Sequence, residues 1–478
     1  MPAPHTPARR FFLIVMLLLF SIDLMKHAIV FGSGLQQPWP DAIGYWRLGS
    51  AIASGDLAML SQPIGFRTPG YPWLVAIART VGGWFVSDSG LLILALLQHA
   101  MALATHLLVL LWVWQITSSR TLVLGAYALA LWNLSRATHA NWVLTETAAT
   151  LLMLGAANLA WRYWGCEKSL PAICLAVIVA LAILVRPVSI IFIPLLGAFL
   201  WSLRPPRRRP LSLGAILILL VFLGPCVLRN YFLFGRPQLV TFQGRELWTT
   251  TFSPWPGARL PIPTEGAGQR LQQLLASSEV LDPLEVRPLN LRHNWEVSTR
   301  LSAAGLDDGA IDQLMQQVAV QAISKAPWKS VFCTAARMGT FWYCWAWPAE
   351  EEPASHTKVF APEIGHSGNA TCRWLAGKIF LIVPESSRWT TIVLTIYVGV
   401  GLVRMLLCGE RGFRRAALII GFLLLATTVL TAVLEIPTYR YRLPLEPLII
   451  VVLASGIAKI RPDFRFGGMR EDMPRSAA

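Results

Sequence analysis

Ten long apolar runs constrain this chain more than any other feature of its sequence. They cover residues 11–31, 91–114, 120–136, 144–164, 169–185, 187–203, 211–230, 389–408, 413–434 and 443–460. A helix needs about 20 apolar residues to cross a bilayer, and a segment in lipid must be helical because its backbone polar groups need internal partners. Only 14% of the residues are charged and the mean hydropathy is +0.53, whereas soluble proteins contain about 25% charged residues. We therefore predict an all-α polytopic membrane protein with about ten to twelve transmembrane helices.

The positions of Lys and Arg give the orientation of these helices. With the N-terminus inside, the inner loops hold most of the basic residues of the short segments, including Arg207, Arg208 and Arg209. The first apolar run follows Arg9-Arg10 without a convincing cleavage site, so we predict a retained signal-anchor helix rather than a cleaved signal peptide. Both termini are then cytoplasmic. Topology, and not nucleic-acid binding, explains the net charge of +15.

This orientation requires residues 71–86 to stay on the outer face. The segment is short, contains Arg79 and a Gly pair, and opens with Tyr71-Pro72. We predict an interfacial helix, with a short true span as the alternative. The same reasoning makes 311–347 an interfacial helix pair, or else one span that is paired with a second at 373–384.

Three regions follow from this pattern. Residues 1–230 are predicted to form an N-terminal transmembrane module, with residues 32–90 as its first external, catalytic loop. Residues 231–388 are predicted to be an external loop region with interfacial helices. Residues 389–478 are predicted to form a C-terminal transmembrane module with a cytoplasmic tail.

The seven cysteines show no CxxC or paired metal spacing and are predicted to be mainly apolar filler.

Polar residues beside the membrane ends gather on the outer face in this topology. A carboxylate there can serve as the base for an acceptor hydroxyl or amine, and Arg guanidinium groups match a phosphate leaving group in charge and geometry. This chemistry suits glycosyl transfer from a polyprenyl-phosphate sugar, and the absence of a P-loop or a Gly-rich fingerprint implies no soluble nucleotide donor. The candidate catalytic residues are Asp41, as the base, and Glu146. The candidate ligands of substrate or lipid phosphate are Arg67, Tyr71, Arg229, Arg245, Tyr439, Arg440 and Arg442.

Each candidate also has a purely structural interpretation. Asp41 can be an ordinary loop or cap residue, and Glu146 can be a helix N-terminal charge that the helix dipole favours. Arg440 and Arg442 can be snorkelling membrane anchors. Within the first run, Asp23 and Lys26 are one turn apart and are predicted to pair, although charges inside a membrane suggest function.

Several motifs resemble those of a known superfamily. They are DAIGYWRLGSAIASGDL with FRTPGYPWLVA, then NWVLTETAATLLML, LVRPVSIIFIPLL, LRNYFLFGRPQLVTFQGRELW and YRYRLPLEPLIIVVLASG. In this order they resemble GT-C glycosyltransferases, and specifically the bacterial family-39 proteins that are like the protein O-mannosyltransferases and similar to the lipid A aminoarabinose transferase.

The resemblance implies a GT-C-like bundle, a polyprenyl-phosphate sugar donor, an active site on the external face and inversion at the sugar carbon. The presumed base of the family falls on Asp41, and a second acidic residue falls on Glu146. Ala42 stands where the protein mannosyltransferases carry another acidic residue, which argues against a protein acceptor. Divalent metal use varies in the superfamily, and no convincing metal site stands out here.

The sequence therefore predicts a glycosyltransferase of the bacterial inner membrane that acts on the periplasmic side. Its partners would be a polyprenyl-phosphate-linked sugar, membrane lipids and a glycan, lipid or protein acceptor of the cell envelope, with no nucleic acid. The alternatives are a transporter or lipid flippase, which would need ionisable groups near the bilayer midplane, and a glycan polymerase or ligase. His99 and His106, inside the second run, are the main feature in favour of transport.

Overall fold

The structure is a computed structural model, and it describes residues 7–34, 40–85, 89–132, 137, 139–278, 294–343, 369–372, 374–375, 387–437 and 439–458. Within these ranges every regular element is helical. The N-terminal part contains α1 (Pro7–Gly32), α2 (Pro40–Ala53), α3 (Gly70–Gly83), α4 (Gly90–Thr117), α5 (Arg120–Trp132), α6 (Glu146–Arg162), α7 (Ser169–Val185), a 3-10 helix (Pro187–Ile191), α8 (Phe192–Trp201) and α9 (Pro205–Phe234). Then follow α10 (Gln243–Phe252), α11 (Ala267–Ser278), α12 (Asn294–Ala303), α13 (Asp308–Lys325), α14 (Pro327–Tyr343), α15 (Ser387–Cys408), α16 (Arg411–Leu434), α17 (Tyr439–Arg442), a 3-10 helix (Leu443–Leu445) and α18 (Glu446–Gly456).

All ten predicted spans coincide with helices, which confirms the prediction of an all-α polytopic membrane protein. Among the described residues, four helices are long and apolar enough to cross a bilayer, namely Arg9–Gly32, Gly90–Thr117, Pro205–Phe234 and Arg411–Leu434. Shorter apolar helices cover Arg120–Leu131, Ser169–Val185, Pro187–Trp201 and Val393–Leu407.

One of the shorter helices ends at a visible helix break. α7 stops at Val185 because Arg186 is extended, with φ −147° and ψ 110°. Arg186 precedes Pro187, and the ring of a proline disfavours helical backbone in the residue before it. The next helix therefore begins afresh, and Arg186 is placed at the junction between two helices.

The helices of the bundle pack around one large hydrophobic core. Trp112 of α4, Phe192 and Phe199 of α8 and Leu448 of α18 are fully buried in it. By contrast, α9 exposes Leu217, Leu220 and other large apolar residues, as expected of a helix that faces lipid. The bundle is thus held together by N-terminal and C-terminal helices that pack against each other.

Residues 243–325 contain a small helical unit with a hydrophobic core of its own, which the sequence analysis did not predict. Trp248 of α10, Leu271 of α11, Leu301 of α12 and Met315 of α13 are all buried in this core. The sequence predicts an interfacial helix pair over 311–347, and the first of these helices, α13, contributes to this core. α13 turns its apolar face inward, and Asp307 caps its N-terminus by accepting a hydrogen bond from the Ala310 backbone N–H (2.8 Å).

The segment from α2 to α3, which the sequence predicts to be the first external segment, packs tightly against the bundle. α3 has 14 residues, fewer than the about 20 needed to cross a bilayer. A Cβ on Gly70 would come within 2.6 Å of the Leu184 backbone, so only glycine allows α3 to begin this close to the end of α7. This contact brings the start of α3 to the helix junction at Arg186.

Candidate functional site

Glu146 lies at the centre of an ion cluster formed by three distant parts of the chain. It is the first residue of α6, and its side chain is fully buried. Its Oε1 accepts a hydrogen bond from Arg440 Nε of α17 and lies 3.1 Å from Arg186 Nη1. Its Oε2 has no hydrogen-bond partner among the described residues. One carboxylate oxygen is therefore held by two cations, and the other has no described partner.

A second pair of carboxyl groups adjoins this cluster. The side chains of Glu246 on α10 and Glu435, the first residue beyond α16, are neighbours. Tyr441 donates its hydroxyl proton to Glu435 Oε2 (2.5 Å), and the Arg186 guanidinium lies 5.6 Å from the centre of the Tyr441 ring.

The Glu435 carboxyl therefore has a mixed electrostatic environment. Burial raises the pKa of Glu435 above its usual value, while the hydrogen bonds with Glu246 and Tyr441 and the charges of Arg440 and Arg186 act in the opposite direction. The net effect is a raised pKa. Carboxyl groups and arginine cations are thus close together at one end of the bundle.

The first external segment brings aromatic residues and a further cation to the same region. Tyr71 is fully buried, lies within electrostatic reach of Glu146 and donates its hydroxyl proton to Gln98 Oε1 (2.9 Å). The Tyr71 and Tyr45 rings are 5.1 Å apart, and the Arg67 guanidinium lies 4.6 Å from the centre of the Tyr45 ring. Tyr71 is therefore near Glu146, and Arg67 is linked to Tyr71 through the Tyr45 ring.

Asp41, the predicted base, occupies the first turn of α2, four residues before Tyr45. Positions i and i+4 of a helix are neighbours on its surface, so the backbone of Asp41 is one turn from the residue that stacks on Arg67. The side chains of Asp41 and Tyr439 lie outside the described residues. Their roles remain predictions.

Arg442 points away from Glu146, towards other helices. It is 4% exposed. Its Nη1 donates to the Trp342 carbonyl oxygen (3.1 Å), and its Nε lies 3.9 Å from Glu446 Oε1. Arg442 therefore joins α14 to the start of α18, while its neighbour Arg440 contacts Glu146.

Arg229 and Arg245 lie outside the Glu146 cluster. Arg229 donates to the carbonyl oxygens of Ala58, Met59, Gln62 and Ile64 and to Asn230 Oδ1. These bonds use all five N–H groups of a guanidinium. Arg245 is 1% exposed and pairs with Asp308 (2.7 Å) inside the unit of residues 243–325. One arginine thus shapes the loop after α2, and the other stabilises the core of the external unit.

A separate polar cluster lies inside the bundle, between α1, α4 and α5. Asp23 pairs with Lys26 (2.9 Å), as the sequence predicted, and accepts a hydrogen bond from His106 Nδ1 (2.6 Å). Asp23, His27 and His106 offer metal-ligand atoms within 4.8 Å of one another. The Lys26 ammonium already balances the Asp23 charge, and a divalent ion added beside it would leave excess positive charge in the membrane. The residues as arranged therefore fit a neutral ion-pair network better than a divalent metal site.

Sequence reasoning did not include Arg186, Glu246, Tyr441 or Glu435 among the site residues. Arg186 was visible as a charge at a helix break, and Glu435 as an acidic residue that directly follows an apolar run. Both signals mark a polar residue at the outer end of a helix. Neither says which distant residue it meets, and the meeting with Glu146 and Glu246 becomes visible only in the fold.

No protein-family model matches this chain, and no curated protein sequence matches it. Solved structures of two other proteins match most of this chain at low sequence identity. The oligosaccharyltransferase AglB from Archaeoglobus fulgidus, in complex with an inhibitory peptide and a dolichol-phosphate, is 12% identical with a TM-score of 0.41, over 92% of this chain and 50% of AglB. ArnT from Cupriavidus metallidurans, bound to undecaprenyl phosphate, is 11% identical with a TM-score of 0.35, over 93% of this chain and 77% of ArnT. This chain spans about half the length of AglB, and a likeness at this level assigns no residue its role.

Proposed function

We propose that the protein is a glycosyltransferase that moves a sugar from a polyprenyl-phosphate donor to a cell-envelope acceptor. The reaction would take place on the outer face of a bacterial inner membrane. The observation that carries the proposal is the cluster in which Arg186 and Arg440 meet the buried Glu146, close to Tyr71 of the first external segment. The ordered sequence motifs that resemble the GT-C superfamily support the same reaction class.

In this reaction, Asp41 takes the proton of the acceptor hydroxyl or amine. The acceptor atom forms a bond to the sugar carbon as the bond from that carbon to the phosphate oxygen breaks, which inverts the configuration. The leaving lipid phosphate gains a negative charge, and a guanidinium held nearby lowers the energy of this charge in a partly dry site. Loss of one such charge contact reduces the rate by about 100-fold or more.

Arg440 is the arginine best suited to hold the phosphate. Its side chain is 23% exposed, whereas that of Arg186 is 10% exposed and that of Glu146 is fully buried. Glu146 uses one oxygen to orient both guanidinium groups, which leaves part of Arg440 facing outward. Arg67, on the aromatic face of Tyr45, is proposed as a second phosphate contact from the first external segment.

A transfer assay with the purified full-length protein tests this proposal. Radiolabelled undecaprenyl-phosphate hexoses serve as donors, and extracts of envelope glycan and lipid serve as acceptors. Asp41→Asn should abolish transfer while donor binding persists. Arg440→Lys should raise the KM for the donor at least tenfold, since an ammonium cannot replace the fork of the guanidinium.

Glu167→Gln is the matched control, because Glu167 forms an exposed ion pair with Arg204 and follows the end of α6 opposite to Glu146. Full transfer by Asp41→Asn would remove Asp41 as the base. A donor KM that is unchanged in Arg440→Lys would remove Arg440 from the phosphate site. Mass spectrometry of envelope glycans from a deletion strain would identify the acceptor, and so would distinguish a transferase from a glycan polymerase or ligase.

A transporter or flippase is the second candidate, and the ion network around Asp23 is the observation that favours it. Asp23, Lys26 and His106 are all buried within helices of the bundle, where charges are costly and usually functional. The test is the movement of a fluorescent polyprenyl phosphate across liposomes that contain the protein. Movement that Asp23→Asn abolishes and Asp41→Asn leaves intact would favour transport over transfer.

A further inference from the structure

Asp308, the first residue of α13, binds two separate parts of the chain with its two carboxylate oxygens. Its Oδ1 lies 2.7 Å from Nη2 of Arg245, which is buried in the unit of residues 243–325. Its Oδ2 accepts a hydrogen bond from the backbone N–H of Gly65 (2.8 Å), in the loop between α2 and α3. The helix dipole favours a negative charge at the start of α13, but it does not account for a bond to a loop that lies 243 residues away in the sequence.

Gly65 fits closely against the chain just before α10. Its carbonyl oxygen accepts a hydrogen bond from the backbone N–H of Thr241 (2.8 Å). A Cβ on Gly65 would lie 2.1 Å from Thr241 Oγ1 and 2.8 Å from the Phe234 ring, so only glycine allows this approach. The carbonyl oxygen of Thr241 in turn accepts a hydrogen bond from Arg245 Nη1 (2.9 Å). Both groups that bind the backbone of Gly65, Asp308 and Thr241, are therefore themselves bound by Arg245.

Phe66 and Arg67 continue the loop from this fixed point. The Phe66 ring lies 5.2 Å from the Trp295 ring of α12, and the Arg245 guanidinium lies 5.5 Å from the centre of the Phe66 ring. The Arg67 guanidinium lies 5.1 Å from the centre of the same Phe66 ring and 4.6 Å from that of Tyr45. A guanidinium within about 6 Å of an aromatic ring centre is attracted by the face of the ring. The position of Arg67 therefore depends on one ring from α2 and on one ring that packs against the unit of residues 243–325.

The earlier part of the same loop is fixed by a different element. Arg229 of α9 donates to four backbone carbonyl oxygens of the loop, and the last of these belongs to Ile64. The contact between Gly65 and Asp308 begins at the next residue. The loop thus passes from the control of a bundle helix to that of the unit of residues 243–325 directly before Phe66 and Arg67.

We propose that Asp308 is a positioning residue that ties the loop between α2 and α3 to the unit of residues 243–325 and so fixes where the Arg67 guanidinium lies. The use of Arg67 to hold the lipid phosphate rests on the proposed function. Asp308 does not touch the phosphate and acts through Gly65 and Phe66. Its contribution is to have the guanidinium in place before the donor arrives, since a misplacement of about 1 Å can cost about 100-fold in rate.

Limited trypsin digestion of the purified full-length protein in nanodiscs tests the positioning without any substrate. Trypsin cleaves after arginine, so the rate of cleavage between Arg67 and Thr68, followed by mass spectrometry of the fragments, reports how often this stretch leaves its contacts. Asp308→Asn keeps the size of the side chain, but its amide nitrogen must face either Arg245 or the Gly65 N–H, and both are donors. Cleavage should become about tenfold faster, as expected from the loss of one hydrogen bond to a charged group.

Asp312→Asn is the matched control for Asp308→Asn. Asp312 lies one helical turn after Asp308 on α13, and its Oδ1 accepts hydrogen bonds from the backbone N–H groups of Gly244 (2.8 Å) and Arg245 (3.1 Å). This variant also replaces a carboxyl group of α13 by an amide, but the contacts of Asp312 stay within the unit of residues 243–325. The rate of cleavage after Arg67 should therefore keep its wild-type value.

Gly65→Ala breaks the same contact from the side of the loop, because the added Cβ does not fit beside Thr241. It leaves the Arg245–Asp308 pair in place, and it should give the same acceleration even if Asp308→Asn does not fold. A wild-type rate of cleavage after Arg67 in folded Asp308→Asn or in Gly65→Ala would overturn the proposal. An equal acceleration in Asp312→Asn would also overturn it, since the loop would then report only a general loosening of the unit.

Donor kinetics test the link between Asp308 and Arg67. In the transfer of a hexose from undecaprenyl phosphate, Asp308→Asn should raise the KM for the donor about tenfold. In an Arg67→Ala background it should raise this KM no further, because two changes that act through one guanidinium are not additive. Additive losses would show that Asp308 acts by another route and would overturn the proposal. If the wild-type protein transfers no hexose, the proposed function fails, and the digestion alone decides whether Asp308 positions the loop.

Discussion

Replacement of Glu146 by glutamine is the sharpest test of the ion cluster. The substitution keeps the size of the side chain but removes the charge that balances Arg186 and Arg440. Glu146 is fully buried, whereas the side chains of Arg186 and Arg440 are 10% and 23% exposed. The Arg186 and Arg440 guanidinium groups would then remain in a poorly solvated environment without their carboxylate partner.

The size of the effect follows from this geometry. Removal of one partner from a buried ion pair lowers the free energy of unfolding by about 3–5 kcal/mol. Because Arg440 is partly exposed and can recover water, we expect the lower part of that range, about 3 kcal/mol. The exposed pair Glu167–Arg204, whose side chains are 37% and 78% exposed, provides the control, and Glu167→Gln should cost less than about 1 kcal/mol.

Unfolding in mixed micelles, followed by tryptophan fluorescence, measures both variants on the same scale. The double variant Glu146→Gln, Arg186→Gln should recover about 1–2 kcal/mol of the loss, because the second change removes one of the stranded charges. If Glu146→Gln is no more destabilising than Glu167→Gln, the carboxylate does not hold the two arginines. The assignment of the site around Glu146 would then fail.

Three further predictions concern the parts that surround the cluster. Gly244→Ala should destabilise the unit of residues 243–325 by about 3 kcal/mol, because a Cβ on residue 244 would lie 1.8 Å from the Asp312 carbonyl oxygen. Gly125→Ala is the control and should be neutral or slightly stabilising, because a Cβ there would have nothing within 4 Å. Thermal unfolding in detergent compares the two variants. Arg229→Lys should open the loop after α2 to limited proteolysis and cost about 2 kcal/mol, since a lysine has too few donors for the bonds that Arg229 makes. Because the folded-state pKa of Glu435 is raised, the contribution of Glu435 to the free energy of unfolding should be fully present at low pH and should be lost as pH rises through that pKa. In denaturation measured over a pH series, Glu435→Gln should remove this fall.

The transmembrane part of the fold was predictable because its signal is local. An apolar run in lipid has to become a helix whatever surrounds it, and all ten runs did so. The helix junction at Arg186-Pro187 was also readable from the sequence, because the effect of proline acts on the adjacent residue.

The unit of residues 243–325 was not predicted, because the apolar residues of its core are spread over distant segments of the sequence. Its core residues, such as Trp248, Leu271 and Met315, lie on short helices that are separated by polar and proline-rich stretches. No single segment is apolar enough to indicate a hydrophobic core. Only the packing of four helices against one another shows that residues 243–325 form a folded unit.

The candidate site was predictable as a side of the molecule but not as a set of contacts. The sequence predicts that Glu146 and Arg440 lie on the outer face, and the two side chains meet although 294 residues separate them. The topology also placed Arg229 and Arg245 on that face, and their environments are quite different. At the level of sequence, each is simply a basic residue near the end of an apolar run.

The partners of these arginines decide which of them suits a phosphate. Arg229 and Arg337 are held mainly by backbone carbonyls, so a phosphate could bind them only after the surrounding backbone had been rebuilt. Arg440 is held by the carboxylate of Glu146, and its partly exposed guanidinium can accept a second anion without movement of the backbone. Because a carboxylate and a phosphate use the same fork of donors, in the proposed reaction Glu146 would keep Arg440 oriented between turnovers and would limit how tightly the product lipid phosphate is retained. A site that must bind one lipid phosphate after another needs an arginine of this second kind, and Arg440 is the predicted ligand that meets the requirement.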